Sequence, residues 1–122
     1  MKPARPTLLV VDDDRLLRWA IRQALGGQAR IRLAGTGEQA LDLIRRGKRK
    51  FDGALVDVRL PGMDGLEFAR RAKELLPDLK VFMMTAFDPA AAPRQAFAVR
   101  AEGYLPKPFE MSTLRDMIAS HL

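Results

Sequence analysis

The chain has no cysteine and a single histidine among its 122 residues. The missing thiols exclude disulfides and thiolate metal sites, and one histidine excludes multi-histidine metal clusters and most Ser-His or Cys-His catalytic arrangements. No apolar run approaches the roughly 18 residues of a membrane span, and no signal-peptide apolar stretch opens the chain. We therefore expect a cytoplasmic protein without a membrane partner.

The composition is that of an ordinary globular domain, with 48% hydrophobic and 30% charged residues. A chain of this length buries enough surface to hold a core without cross-links. We expect a single domain over residues 1–122. The length alone leaves open whether this domain is the N-terminal part of a larger protein.

The net charge of +6 is concentrated in residues 1–61, which hold 13 basic and 7 acidic side chains. Much of the excess lies in one basic segment, Arg45, Arg46, Lys48, Arg49 and Lys50. Such a segment either contacts nucleic acid, anionic lipid or an acidic partner, or is the solvated end of a helix. The segment has no interleaved aromatic residues, which argues against direct nucleic-acid binding.

Five short apolar runs alternate with amphipathic segments. The runs predict strands at residues 7–11, 31–34, 53–57, 79–84 and 103–105. A helix is predicted after each strand; Pro89 and Pro93 place the start of a short fourth helix near Pro93. On the first helix, Trp19 is expected to be partly buried. Strict alternation of this kind predicts an α/β fold, a doubly wound parallel sheet with helices on both faces.

Polar residues follow the predicted strands. Asp12, Asp13 and Asp14 close the first strand, Asp57 closes the third, Thr85 closes the fourth, and Lys107 follows the fifth. Parallel strands bring these positions to one edge of the sheet, where such folds bind ligands.

Clustered carboxylates repel one another unless a cation lies between them, and all-oxygen ligands favour Mg²⁺ or Mn²⁺. Mg²⁺ commonly takes one or two carboxylates together with a phosphate, so the cluster predicts a phosphoryl substrate. No glycine-rich phosphate loop is present. The metal, the Thr85 hydroxyl and the Lys107 ammonium are then the groups that place the phosphoryl group, and one carboxylate is the nucleophile.

Four segments carry a resemblance to a known family: residues 8–14 (LLVVDDD), 56–65 (VDVRLPGMDG), 84–86 (MTA) and 104–109 (YLPKPF). From the first strand to the last helix, the chain resembles the receiver domains of two-component response regulators, most closely those of nitrogen regulators. The resemblance implies a flavodoxin-like (βα)₅ sheet with strand order 2-1-3-4-5.

The resemblance also implies a role for each acidic residue. Asp57 would accept a phosphoryl group from a histidine kinase or phosphotransfer protein. Asp13, Asp57 and the backbone carbonyl of Arg59 would ligate Mg²⁺ (or Mn²⁺), and Asp12 would hold a metal-bound water. The alternatives are simpler: Asp12, Asp13 and Asp14 only cap the first helix, and Asp57 is an ordinary strand-end residue.

The remaining implied residues form a switch. Thr85 and Lys107 would bind the new phosphoryl group, Tyr104 would turn inward behind Thr85, and the peptide bond before Pro108 would be cis. The fourth predicted helix, the fifth strand and the last helix would then contact an output domain, an effector protein or a second copy. Arg100 departs from the pattern, because receivers commonly have glycine there.

Three arginines, Arg15, Arg18 and Arg22, share one face of the first predicted helix. They form either a solvated stripe or part of the docking surface for an acidic kinase partner.

We expect a phosphoacceptor switch that catalyses only its own phosphorylation and dephosphorylation, and is otherwise not an enzyme. The main alternative is a phosphorylation-independent interaction module of the same fold. The Asp12-x-Asp14 spacing after a strand also resembles a small Mg²⁺ phosphatase with an aspartyl nucleophile. That alternative is disfavoured, because Leu16 stands where the phosphatase motif has Thr or Val and the chain is too short for a cap domain.

Overall fold

Five parallel strands and four helices make up the part of the chain that the computed structural model describes, residues 5–47, 50–86 and 100–122. In chain order these are β1 (Thr7–Val11), α1 (Arg15–Leu25), β2 (Arg30–Ala34), α2 (Gly37–Arg46), β3 (Gly53–Asp57), α3 (Gly65–Leu75), β4 (Lys80–Ala86), β5 (Gly103–Lys107) and α4 (Met111–His121). The observed strand ends lie within two residues of the predicted ones. The helix predicted near Pro93, and Pro89 before it, lie outside the described residues.

The strands pair in the order β2-β1-β3-β4-β5, and every pairing is parallel. The predicted doubly wound, flavodoxin-like sheet is therefore confirmed. The register keeps the carboxyl ends level: Val11 lies beside Val56, Asp57 beside Met84, and Thr85 beside Pro106. Residues that follow these strands consequently emerge at one edge.

Two apolar layers cover the sheet, one on each face. Alternate residues of the central strands point to opposite faces, so Leu8 and Val10 belong to one layer and Leu9 and Val11 to the other. Helices α1 and α4 cover the first face, and α2 and α3 cover the second. Burial on both faces explains why β1 and β3 are continuous apolar runs.

Three helices start where polar side chains satisfy the first free backbone N–H groups. The Asp14 carboxylate accepts from Leu16 and Leu17. Thr36 caps α2 and Asp64 caps α3 in the same way. Asp14 is thus the cap of α1, which leaves Asp12 and Asp13 for another role. Among the described residues, no helix is both long and apolar enough to cross a bilayer.

Candidate functional site

Three carboxylates converge at the carboxyl edge of the sheet. Asp12 follows β1 directly and Asp57 is the last residue of β3, its neighbour in the sheet. One carboxylate oxygen from each of Asp12, Asp13 and Asp57 lies within 4.8 Å of the others. Asp12 is fully buried, Asp57 is 7% exposed, and Asp13 faces solvent. The predicted meeting of these residues is confirmed.

Lys107 joins two of these carboxylates. Its Nζ lies 2.7 Å from Oδ2 of Asp12 and 2.9 Å from Oδ2 of Asp57. Lys107 is the last residue of β5, at the edge of the sheet, and its long side chain reaches across the end of β4. The peptide bond to Pro108 is cis, as predicted. The structure therefore gathers residues more than 90 positions apart into one pocket.

Burial and charge oppose each other in this pocket. Burial raises the pKa of Asp12, with a smaller contribution from the nearby negative charge of Asp57, although hydrogen bonds from Lys107 and Asp14 act the other way. Burial by itself lowers the pKa of Lys107, but its hydrogen bonds to Asp12 and Asp57 and their charges together outweigh burial and raise it. The Lys107 ammonium is therefore held in its charged form, while the charged form of Asp12 is disfavoured.

The donor set fits a hard divalent cation. Among the described residues, three carboxylates lie together and the Lys107 ammonium pairs with two of them, which leaves net negative charge in a partly buried pocket. All-oxygen sites of this kind suit Mg²⁺ or Mn²⁺. Asp12, Asp13 and Asp57 are placed to contribute to such a site. The Arg59 backbone lies beside it, since the Arg59 N–H donates to Oδ1 of Asp57 at 3.0 Å. A ligand role for the Arg59 carbonyl stays a prediction.

Thr85 and Tyr104 lie on the same face of the sheet. Thr85 is 4% exposed and lies one residue beyond the level of Asp57 along β4. Tyr104 pairs with Met83, two residues before Thr85, and packs against the layer under α2 and α3. Within the described residues its hydroxyl oxygen is buried without a hydrogen-bond partner. The Tyr104 hydroxyl therefore lies inside the fold on the side of Thr85. A switch role for Thr85 and Tyr104 stays a prediction.

Gly65 is a site residue to which the sequence analysis gave no role. A Cβ at this position would lie 1.9 Å from the Asp57 carbonyl oxygen and 2.9 Å from Cα of Val58. The Gly65 N–H donates to the Val58 carbonyl at 2.8 Å. Glycine therefore lets α3 start against the backbone that carries Asp57. The sequence signal was the glycine directly after the cap Asp64.

The three arginines of α1 have different surroundings. Arg15 and Arg22 are exposed, and Nη2 of Arg22 lies 3.4 Å from the Ile31 carbonyl. Arg18 is half-buried, and its Nη1 donates to the Asp12 carbonyl at 2.7 Å. Arg18 is thus engaged with the site rather than free on a solvated stripe. The expectation for Trp19 was wrong: it is 61% exposed, because it lies opposite the buried face of the helix.

The basic segment lies at the end of α2. Arg45 and Arg46 are exposed, and Arg46 forms an ion pair with Asp42 at 3.0 Å. Lys48 and Arg49 lie outside the described residues. Lys50 is exposed. The described part of the segment therefore has the character of a solvated helix end.

Comparisons with known proteins agree with this architecture. The model of the response regulator receiver domain matches residues 8–119. Response regulator MprA of Mycobacterium sp. (strain KMS) is 37% identical over 108 residues, which cover 88% of this chain and 46% of that protein. MprA of Mycobacterium leprae is 34% identical over 116 residues, 94% of this chain and 50% of that protein. The chain spans about half the length of the curated relatives it matches.

Solved structures show the same fold. The BeF3-activated receiver domain of DrrB superposes with a TM-score of 0.86 at 27% identity and covers 97% of both chains. Chemotaxis protein CheY4 of Vibrio cholerae gives a TM-score of 0.86 at 29% identity, covering 98% of this chain and all of that one. The family match extends over most of the sequence, and the chain belongs to the response regulator receiver domain family of two-component systems.

Proposed function

We propose that the protein is a phosphoacceptor switch in which Asp57 receives a phosphoryl group in a reaction that requires Mg²⁺ or Mn²⁺. One observation carries the proposal: the Asp57 carboxylate lies at the sheet edge between a shared ammonium and two further carboxylates. An aspartate with a purely structural role needs one hydrogen-bonding or ionic partner. Asp57 instead belongs to a group of three carboxylates whose negative charge exceeds the positive charge of Lys107. Such excess is suited to a cation that comes with a phosphoryl substrate.

The chemistry is a direct displacement at phosphorus. A carboxylate oxygen of Asp57 forms a bond to phosphorus, the bond from phosphorus to the donor nitrogen breaks, and the electron pair stays on the donor's imidazole. The divalent cation, when bound, would neutralise charge on the phosphoryl oxygens. The Arg59 N–H holds Oδ1 of Asp57 throughout. Lys107, which already donates to Oδ2, turns to a phosphoryl oxygen as negative charge moves outward.

The new group changes the contacts of the neighbouring strands. A phosphoryl group adds about two negative charges and strong acceptor oxygens, which attract the Thr85 hydroxyl and the Lys107 ammonium. Movement of Thr85 would open space on the face where Tyr104 lies. Phosphorylation would thereby shift the population toward the conformer in which Thr85 has moved, and this shift is the proposed switch. The proposed readers of this change are an output domain, an effector protein or a second copy of the chain.

The proposed donors are a histidine kinase or a phosphotransfer protein. Arg15 and Arg22 are the exposed cations of α1 that would meet an acidic surface on such a donor. The protein would catalyse only its own phosphorylation and dephosphorylation. Its proposed place is the cytoplasm, where two-component donors present their phosphohistidines.

The test is intact-protein mass spectrometry after incubation with acetyl phosphate or phosphoramidate, with either Mg²⁺ or excess chelator. We expect one added phosphoryl group with Mg²⁺, no addition with chelator, and no addition in Asp57→Asn. Asp52→Asn is the matched control, because Asp52 lies directly before β3 and accepts from the Thr7 N–H at the opposite edge of the sheet. Wild-type protein that binds Mg²⁺ but gains no phosphoryl group from either donor would favour the phosphorylation-independent interaction module instead.

A further inference from the structure

Arg18 reaches from α1 back to the loop that carries the acidic residues. Its Nη1 donates to the Asp12 backbone carbonyl at 2.7 Å. The guanidinium is confined on its other side, where a Cβ at Gly35 would lie 3.2 Å from the same nitrogen. A charged donor at this distance makes one of the stronger hydrogen bonds available to a backbone carbonyl.

The carbonyl that Arg18 holds belongs to the peptide between Asp12 and Asp13. The orientation of this peptide sets the direction in which the Asp13 side chain leaves the backbone. Two other contacts hold the loop: the Asp12 N–H donates to Ala34 at 3.1 Å, and the Asp14 N–H donates to Oδ1 of Asp12 at 2.8 Å. Within the described residues, only Arg18 donates to the Asp12 carbonyl.

We propose that Arg18 is a positioning residue for the metal site. By fixing the peptide between Asp12 and Asp13, it directs the exposed Asp13 carboxylate toward Asp12 and Asp57. Groups that hold metal ligands without touching the metal commonly change metal affinity by about 10–100-fold when removed. This inference rests on the proposed function, since it assumes that the three carboxylates bind Mg²⁺.

Charge alone predicts the opposite effect. Arg18 is a cation beside an acidic cluster. By Coulomb's law, removal of its positive charge would strengthen the binding of Mg²⁺. The positioning role predicts that removal weakens binding, because Asp13 then samples directions away from the other carboxylates. The sign of the change in affinity therefore separates the two roles.

The experiment measures Mg²⁺ affinity of the full chain by following amide NMR shifts during a titration. In Arg18→Met we expect the Kd for Mg²⁺ to rise about tenfold. Arg18→Lys keeps a charged donor and recovers part of the affinity. Arg5→Met is the matched control, because Nη1 of Arg5 donates to the Gly26 backbone carbonyl at the same distance of 2.7 Å but away from the carboxylates, and its Kd stays at the wild-type value.

A second readout is the phosphorylation rate with acetyl phosphate as a function of Mg²⁺ concentration. In Arg18→Met, saturating Mg²⁺ restores the wild-type rate, because the defect lies in metal binding and not in Asp57. If Arg18→Met does not fold, Arg18→Gln, whose side chain is too short to reach the carbonyl, replaces it with the same expectations.

An unchanged or tighter Kd in the folded variant overturns the inference while leaving the phosphoacceptor proposal intact, provided that the wild type binds Mg²⁺. A wild-type chain that shows no Mg²⁺-dependent shifts at the three aspartates overturns both.

Discussion

Replacing Lys107 by methionine removes the ammonium that two carboxylates of the pocket share. Its Nζ lies 2.7 Å from Asp12 and 2.9 Å from Asp57, and both carboxylates are nearly inaccessible to solvent. Methionine keeps most of the aliphatic stem, so the substitution removes charge and hydrogen bonds with little change in volume. We expect the metal-free variant to be clearly less stable than the wild type.

The size of the loss follows from burial. Removing one partner of a fully buried ion pair costs about 3–5 kcal/mol. The Lys107 side chain is 26% exposed, so solvent screens part of this interaction. Protonation of Asp12, whose pKa burial already raises, relieves a further part. We therefore expect a loss of about 2 kcal/mol without metal, which lowers the melting temperature by roughly 8 °C.

The assay compares unfolding of the wild type and Lys107→Met, each with chelator and with Mg²⁺. Mg²⁺ should stabilise the variant more than the wild type, since it neutralises the same carboxylates that Lys107 neutralises. Lys80→Met is the control: Nζ of Lys80 donates to a backbone carbonyl, that of His121, so its removal leaves no buried carboxylate unpaired.

Equal unfolding free energies for wild type and Lys107→Met in chelator would refute this reasoning. A Mg²⁺ stabilisation no larger in the variant than in the wild type would also refute it, because the ion and the ammonium would then not compete for the same charge.

Three further predictions concern the supporting structure. Gly65→Ala should lower the unfolding free energy by about 3 kcal/mol in urea titrations, because the new Cβ would meet the Asp57 backbone. Gly27→Ala is its control: a Cβ at Gly27 has open space around it, so the unfolding free energy should stay within about 0.5 kcal/mol of the wild type. Arg100→Gly should raise the unfolding free energy by about 0.5–1 kcal/mol, since Arg100 has φ +53°, and Arg100→Ala should give no such gain. Hydrogen bonds from Arg70 and Arg71 lower the pKa of Glu67, so Glu67→Gln should be less stable than the wild type at neutral pH. That difference should disappear as pH falls through the lowered pKa of Glu67; a difference that persists in acid would contradict the ion-pair account.

The fold was predictable chiefly from its central strands, because burial on both faces gives a strand a continuous apolar sequence. β1 and β3 are unbroken apolar runs that end at aspartate, and the structure gives both the predicted limits. The parallel sheet then follows from strict alternation with helices. β4 and β5 extend two residues further than predicted, because Thr85 and Lys107 are paired within the sheet rather than beyond it.

The acidic pocket was predictable once the sheet was known to be parallel, because parallel strands place their carboxyl ends at the same edge. The supporting contacts were not. Whether Arg18 faces solvent or the Asp12 carbonyl depends on a side-chain torsion that helical periodicity does not determine. Trp19 shows the converse: a large aromatic residue suggested burial, but its position on the helix turns it outward. The need for glycine at position 65 follows from a backbone approach that appears only in three dimensions.

The most direct test of the central claim is to locate the phosphorylated residue. Borohydride reduces an aspartyl phosphate to homoserine, and trypsin then releases residues 51–59 (FDGALVDVR), which contain Asp52 and Asp57. After incubation with Mg²⁺ and acetyl phosphate, fragment masses should place homoserine at position 57 and leave Asp52 unchanged. Homoserine at Asp12, Asp13 or Asp52, or none at all in protein shown to bind Mg²⁺, would contradict the assignment of Asp57 as the phosphoacceptor.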